Sequence, residues 1–368
     1  MAFIHTIETL VPKHCYSQAE AEEAMMRFTR DTKAHRYIGA IYKESGILKR
    51  YSVVPNFNAI GDTSFFPKWD NGLPSEPSTG ARNDIFIREA EPLAVDVARA
   101  AVDGCRGIES ADITHLITVS CTGFYNPGLD IAIMRALNLR GTVWRYHLGF
   151  MGCYGAFPAM SMAAQFCAAD SSARVLVVCV ELCSLHLQIS SEMDVLVANA
   201  VFADGAAAAI ISAVPPVSPA FFELGAIANV LVPNSEGEMA WRIGDNGFSI
   251  LLSKYVPRII GANIRPVIAS ALGVDWHGVE SVDTWAVHPG GKSILDKVEE
   301  SLGLVSSQIA ASREVLRQYG NMSSATILFV LKEILERQSD SEREEVCALA
   351  FGPGLTVACG MLTARRER

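Results

Sequence analysis

The chain has 368 residues, half of them hydrophobic and 19% charged, enough to bury the core of one large domain or of two fused halves. Its net charge of −9 excludes the basic stripe of a nucleic-acid binder, and its 28 glycines and 8% aromatic residues exclude a disordered polymer. Nine cysteines without a CxxC pair lack the usual zinc or dithiol spacing, so no metal is expected, and most of them read as small buried hydrophobes of a reducing compartment.

The opening residues, MAFIHTIETLVPKHC, lack the basic start, long apolar centre and small-residue cleavage site of a secretory signal, which points to a cytoplasmic protein. The first 50 residues read as helical, with Ser17 capping QAEAEEAMMRF. A polar, Pro/Gly-rich stretch from Pro55 to Arg82 reads as a long surface loop, and Asp84 to Val102 as a long amphipathic helix. Strands and helices then alternate. HLITVSCTG is a buried strand, PGLDIAIMRALNL a helix, and Arg145 to Leu148 a short extended piece. The run from Leu148 to Ala169 carries no charge and is long enough to span a bilayer. Its glycines, Pro158 and Gln165 instead fit a helix buried in the centre of a soluble protein, so no membrane span is expected. RVLVVCVEL and FADGAAAAIISAV are two further buried strands, the second opened by an Asp-Gly turn.

After a Pro-rich junction at Val214–Pro219 the theme repeats. A helix from Val256 to Leu272 leads to the strand DTWAVHPGG, the helix SILDKVEESLGL, the helix GNMSSATILFVLKEILE and the strands VCALAFGPG and LTVACGML. The alternation predicts an α/β fold with buried sheets, divided into halves at residues 1–217 and 218–368 with a ligand site between them.

Three residues at element ends carry candidate chemistry. Cys153, in GFMGCYGAFP, stands where an extended piece turns into the uncharged helix; the positive end of a helix dipole favours a thiolate there. The same cysteine also fits as one more buried thiol. His288, in TWAVHPGG, ends a buried strand, either as a structural imidazole or as a thiolate partner and proton shuttle. Asn321, in YGNMSSA, precedes a helix, either as its N-cap or as an amide donor to a developing oxyanion or enolate. A cysteine hydrolase would need the first two and not the third. A non-catalytic scaffold would be free to lose any of them.

Together with CTGF…PGLD at Cys121–Asp130, VFADG at Val201–Gly205 and FGPGLT at Phe351–Thr356, these motifs resemble the chalcone synthase family, the type III polyketide synthases. The resemblance runs from Ile4 to Leu362 and implies a thiolase-like, duplicated, five-layered αβαβα fold with a Cys-His-Asn site. It implies CoA thioesters as substrates, with no bound cofactor. Cys153 would accept an acyl group from acyl-CoA, while His288 and Asn321 would hold the malonyl-CoA thioester as it loses carbon dioxide. The enolate would attack the acyl-enzyme in repeated Claisen condensations before the chain cyclises. Phe202 and Phe248 match gatekeeping phenylalanines between the CoA tunnel and the cavity. His186 falls at a threonine position and Met239 at a glycine position of the plant enzymes, whereas Ser323 is retained. Those larger groups imply a reshaped pocket. LGFMGCYGAFPA and VELCSL, shared with bacterial relatives, imply a fatty acyl starter and a pyrone or resorcinol product, with malonyl-only or aromatic starters as alternatives. Arg36, Lys43, Lys49 and Arg50 lie where the family binds CoA phosphates, and Asn126 lies on the loop that enters the partner's cavity of a homodimer. A single-round condensing enzyme of the fatty-acid-initiating type shares the triad, but its histidine and asparagine motifs differ from HPGG and GNMSS.

Overall fold

A computed structural model describes the chain except for residues 30, 56–67, 71–72, 254, 274–275, 339–340 and 367–368. The chain opens on a strand, β1 (Ala2–Leu10), and not on a helix. A ribbon of β2 (His14–Ser17) and β3 (Lys49–Ser52) encloses α1 (Gln18–Phe28) and α2 (Thr32–Glu44). Ser17 caps α1 as the sequence predicts, in a reciprocal box with Glu20. Part of the predicted surface loop lies outside the described residues. Its end forms the hairpin β4 (Lys68–Asp70) and β5 (Leu73–Ser75) and the start of α3 (Thr79–Asp103), which Ser78 caps earlier than the amphipathic pattern indicates.

The first half continues through β6 (His115–Ser120), α4 (Leu129–Ala136), β7 (Trp144–Gly149), α5 (Ala156–Ala169), β8 (Arg174–Leu182), α6 (Met193–Val201) and β9 (Asp204–Ser212). The second half holds β10 (Ala220–Leu231), the hairpin β11 (Met239–Gly244) and β12 (Gly247–Leu252), α7 (Val256–Leu272) and β13 (Thr284–Val287). It ends with α8 (Lys292–Leu302), α9 (Ala310–Tyr319), α10 (Thr326–Glu336), β14 (Arg343–Gly352) and β15 (Thr356–Arg366).

Nine strands form one sheet in the order β13-β14-β15-β10-β1-β9-β8-β6-β7. The two ends of this sheet repeat one pairing scheme. In the first half β6 is parallel to β8, β8 antiparallel to β9, and β9 antiparallel to β1. In the second, β13 is parallel to β14, β14 antiparallel to β15, and β15 antiparallel to β10. The halves join where Ala2–Ile4 of β1 pairs with Phe222–Leu224 of β10.

Strand alternation sorts the core into layers. Val175, Val177 and Cys179 of β8 face the inner helices α5 and α10, and Val346, Ala348 and Ala350 of β14 face the same helices from the other side. Leu176, Val178 and Val180 face outward to α1–α4, and Trp285, Cys347 and Leu349 face outward to α7 and α8. The result is five layers, helix, sheet, helix pair, sheet, helix. The uncharged run beginning at Leu148 divides into the end of β7, a turn and the 14-residue α5. Small buried residues on α5, Ala156, Ala159 and Ala163, let both sheet halves close on it. Among the described residues, no helix is long and apolar enough to cross a membrane.

Candidate active site

After β7 the backbone turns sharply: Phe150 has φ 59° and Gly152 φ 71°. One 3₁₀ turn, Gly152–Tyr154, then presents Cys153 just ahead of α5. This turn packs against the Gly352-Pro353 corner between β14 and β15. A Cβ on Gly152 would stand 2.7 Å from Cδ of Pro353, and a Cβ on Gly352 would stand 2.1 Å from Cδ1 of Tyr154. Each glycine is the recess that receives the other corner's ring. Cys153 is thereby fixed to both halves at once.

His288 follows β13, its backbone N–H donating to the Leu349 carbonyl at 2.7 Å. The residue is buried, and among the described residues neither ring nitrogen has a hydrogen-bond partner. Asn321 is clamped by its backbone: its N–H donates to Val201 O at 2.8 Å, and its carbonyl accepts from Ala203 N at 2.8 Å. Its side-chain oxygen accepts from Ser323 N at 2.9 Å, while its Nδ2 lies 3.4 Å from Gly290 O and 4.0 Å from the Cys153 Sγ. Cys153, His288 and Asn321 all line one cavity of about 340 Å³ with Phe202, Met239 and Ile250.

Burial dominates the electrostatics here. It pushes the Cys153 thiol up to about 11, against hydrogen bonds with Ser323 and Asn321 that pull it down. It lowers the His288 imidazole to about 3. Taken one at a time, both groups are held neutral, so desolvation outweighs the helix end that favours a thiolate in the sequence reading.

A buried carboxylate underlies the site. Glu181, at the end of β8, accepts from Cys121 N at 3.0 Å, Thr122 Oγ1 at 2.9 Å and the Ser324 hydroxyl. Burial raises its pKa although these bonds oppose the shift. Glu181 therefore ties the loop after β6 to the turn that carries Asn321. Sequence reasoning overlooked it, although a charged residue inside an otherwise apolar strand, RVLVVCVEL, is itself a signal of a paired buried group.

The remaining predicted residues separate. Met239 lies on the Cys153 cavity, and Ser323 lies on a small neighbouring cavity that also touches Cys153. His186 and Phe248 line an adjoining chamber and not the Cys153 cavity. The hairpin register explains why. Trp241 pairs with Ile250, Arg242 with Ser249 and Ile243 with Phe248, so Phe248 sits two pairs nearer the hairpin tip. Ile250 lines the cavity opposite Phe202, and Trp241 stands with its ring 6.5 Å from that of Phe202. Asn126 is exposed beside a separate surface hollow.

Of the four predicted cations, none lines the Cys153 cavity. Arg36 and Lys43 are exposed on α2, and Lys49 lies over the Tyr51 ring. Arg50 turns inward, donating to Gln18 Oε1 at 3.0 Å and to the carbonyls of Asn199 at 2.8 Å and Phe202 at 2.6 Å. Among the described residues the cation on the cavity rim is Lys292, which follows the His288 motif at the start of α8 and pairs with Asp296 at 2.7 Å.

A thiol, an imidazole and an amide on a largely apolar cavity are the groups that an acyltransferase needs. The family comparisons sharpen this. The N-terminal domain of chalcone and stilbene synthases matches residues 1–215, and the C-terminal domain matches residues 223–364. The chain is similar to the alpha-pyrone synthesis polyketide synthase-like Pks18 of Mycobacterium tuberculosis, with 31% identity over 367 residues, 98% of this chain and 91% of that protein. PKS-I of the brown alga Ectocarpus siliculosus has the same fold with a TM-score of 0.89 and 29% identity, covering 99% of this chain and 98% of that one. The 1,3,6,8-tetrahydroxynaphthalene synthase of Streptomyces coelicolor, a bacterial type III polyketide synthase, gives a TM-score of 0.88 at 26% identity, covering 100% and 99%. The chain belongs to the chalcone and stilbene synthase family, the type III polyketide synthases.

The interlocked corners make a direct prediction. Gly352→Ala lowers stability by about 1–3 kcal/mol, the usual cost of overpacking a filled site. Tyr154→Ala in the same chain removes most of that cost. Thermal unfolding of the four proteins measures the coupling, and equal costs with and without Tyr154 would show that the two residues act independently.

Proposed function

We propose that this enzyme loads an acyl group from a CoA thioester onto Cys153, extends it by repeated decarboxylative condensation with malonyl-CoA, and releases a pyrone or resorcinol-type product, with a fatty acyl starter favoured. The observation that carries this reading is the pair of partnerless ring nitrogens on buried His288, facing the same cavity as Cys153 and Asn321. A buried N–H left unpaired is costly, and a thioester oxygen that gains charge as its carboxylate leaves is the acceptor that would satisfy it. In the proposed step the carbon–carboxylate bond of malonyl-CoA breaks, its electron pair becomes the enolate, and carbon dioxide departs. The enolate carbon attacks the acyl carbonyl, and the Cys153 thiolate leaves. His288 and Asn321 Nδ2 are the donors to the enolate oxygen.

Loading needs a thiolate at a site where burial opposes one. Proton transfer from Cys153 to His288 makes two opposite charges at once, and their attraction offsets the desolvation of each. The rim of Glu44, Ser45 and Lys292 is the proposed approach for CoA. The starter assignment is supported by the apolar lining of the Cys153 cavity, about 340 Å³, whose wall includes Met193, Val197, Ile250 and Leu252. Pks18 is named for alpha-pyrone synthesis, which agrees with the proposed product class.

A second copy of the chain is the proposed partner. β7 is an edge strand of the nine-stranded sheet, and Trp144 at its start is 66% exposed, a combination that a dimer interface would cover. A cytoplasmic setting fits nine cysteines that are all free thiols.

Three outcomes are expected. Incubated with malonyl-CoA and acyl-CoAs from acetyl to palmitoyl, the enzyme gives pyrones or resorcinols from the long chains by mass spectrometry. Products from malonyl-CoA alone or from aromatic starters only would overturn the starter assignment, and no product from any starter would overturn the reaction. His288→Ala and Asn321→Ala each slow malonyl-CoA decarboxylation by about 10²–10³-fold; full decarboxylation in either variant removes that residue from its role. The rate of Cys153 alkylation by iodoacetamide levels off below the ordinary thiol value of 9.0 in the parent enzyme, and in His288→Gln moves upward toward about 11. An identical profile in the two proteins contradicts the proton transfer.

A further inference from the structure

On size alone His186 would be filler in the wall of the adjoining chamber. Its ring is instead fully committed. Nε2 lies 2.7 Å from the Thr122 carbonyl and so must carry the proton, while Nδ1 accepts the backbone N–H of Phe248 at 3.0 Å. The two bonds together require the neutral ring protonated on Nε2. Burial lowers the pKa to about 4, in keeping with that form. The imidazole stacks on the Phe248 ring at 4.1 Å and 11°, and meets the Trp241 ring edge-on at 5.6 Å.

The neighbouring carbonyl is held in the same manner. Trp241 Nε1 donates to Cys121 O at 2.8 Å. Two consecutive carbonyls of the loop after β6 thus each accept from an aromatic N–H, one from β11 and one from the turn after β8. Behind His186, the buried Arg82 guanidinium donates to the carbonyls on either side, Leu185 and Leu187, the latter at 2.8 Å. The hairpin tip is fixed to the start of α3, where Thr79 N donates to Asp245 O at 2.7 Å and Gly247 N donates to Thr79 Oγ1 at 2.8 Å. The β11–β12 hairpin is therefore tied at its tip and along both strands. Its residues Met239, Ile250 and Leu252 form one wall of the Cys153 cavity.

We infer that His186 is a positioning residue, a latch that binds β12 to the Thr122 carbonyl and so fixes how far the Met239–Ile250 wall stands from Cys153. It acts through its two hydrogen bonds and not through its bulk. The inference rests on the proposed polyketide-forming reaction, in which a wall that cannot retreat limits how long the acyl chain grows before it is released.

Hydrogen–deuterium exchange and product analysis on paired variants test it. His186→Phe keeps the ring and its volume and loses both bonds. The Phe248 amide then exchanges about tenfold faster, while β14 exchanges as in the parent. The ratio of products differing by one extension shifts by about tenfold, since a single lost hydrogen bond changes an equilibrium by that order. His186→Asn restores an acceptor near the Nδ1 position and brings exchange back to within about threefold of the parent. Unchanged exchange in His186→Phe overturns the latch, as does an Asn variant as open as the Phe variant. Faster exchange with an unchanged product ratio overturns the positioning role. If His186→Phe unfolds, shown by faster exchange in β14, Trp241→Phe makes the same test at the Cys121 carbonyl. It is expected to open 239–244 and shift the product ratio, and no change in either would overturn the claim that hydrogen bonds to the Cys121–Thr122 loop hold the wall. A parent enzyme that condenses no starter would overturn the proposed reaction, and this role with it, whereas the exchange data alone decide whether the latch exists.

Discussion

Gly152 and Gly352 each give up a side chain so that a ring from the other corner can fill the space: Pro353 against Gly152, Tyr154 against Gly352. The rest of the site depends on this contact. The first corner carries Cys153 and comes from the first half of the fold. The second closes β14, and β14 in turn holds β13 and His288 through the Leu349 carbonyl. Asn321 reaches the same cavity because its backbone is bonded to Val201 and Ala203 on either side of Phe202. Glu181 ties the Cys121–Thr122 loop to Ser324. Cys153, His288 and Asn321, from three separate segments, are thus positioned by close packing and paired backbone groups, which bear little adjustment.

Such rigidity has an electrostatic counterpart. A cavity dry enough to hold a thiol near 11 and an imidazole near 3 disfavours every isolated charge. Around it, charge is tolerable only where a partner stands ready, as for Glu181 beneath the site with its donors. The unpaired ring nitrogens of His288 are the exception among the described catalytic candidates. In the proposed reaction that unmet bonding capacity is directed at charge that appears only as carbon dioxide leaves, which is where a donor contributes most to rate.

Much of this was legible in the sequence because glycine and proline punctuate the ends of elements. GCYG, HPGG and GPG mark three sharp turns, and the candidate cysteine and histidine sit inside two of them. The helix Val256–Leu272 could be read to its ends from its apolar period. β1 was misread as helix because AFIHTIETL is short and its strand character is set by pairing with β9 and β10, which lie far away in sequence. The β11–β12 hairpin left a usable signal, GDNG between two alternating runs, that marks its turn. Its register was not legible, and so the resemblance assigns the second gate position to Phe248 while Ile250 lines the Cys153 cavity. Charge alone likewise does not tell which way a side chain faces: Arg50 turns inward beneath Phe202, and Lys292 takes the rim. The partners of His186 come from segments that only the folded chain brings together.

In the proposed reaction one thiol carries the growing chain. Peptide mapping by mass spectrometry after brief exposure to a long-chain acyl-CoA, with malonyl-CoA withheld, measures it most directly. A single acyl adduct is expected on Cys153, lost in Cys153→Ala and retained in Cys167→Ala and Cys179→Ala. An adduct on Cys121 or any other thiol, or an acylated Cys153→Ala protein, would contradict it.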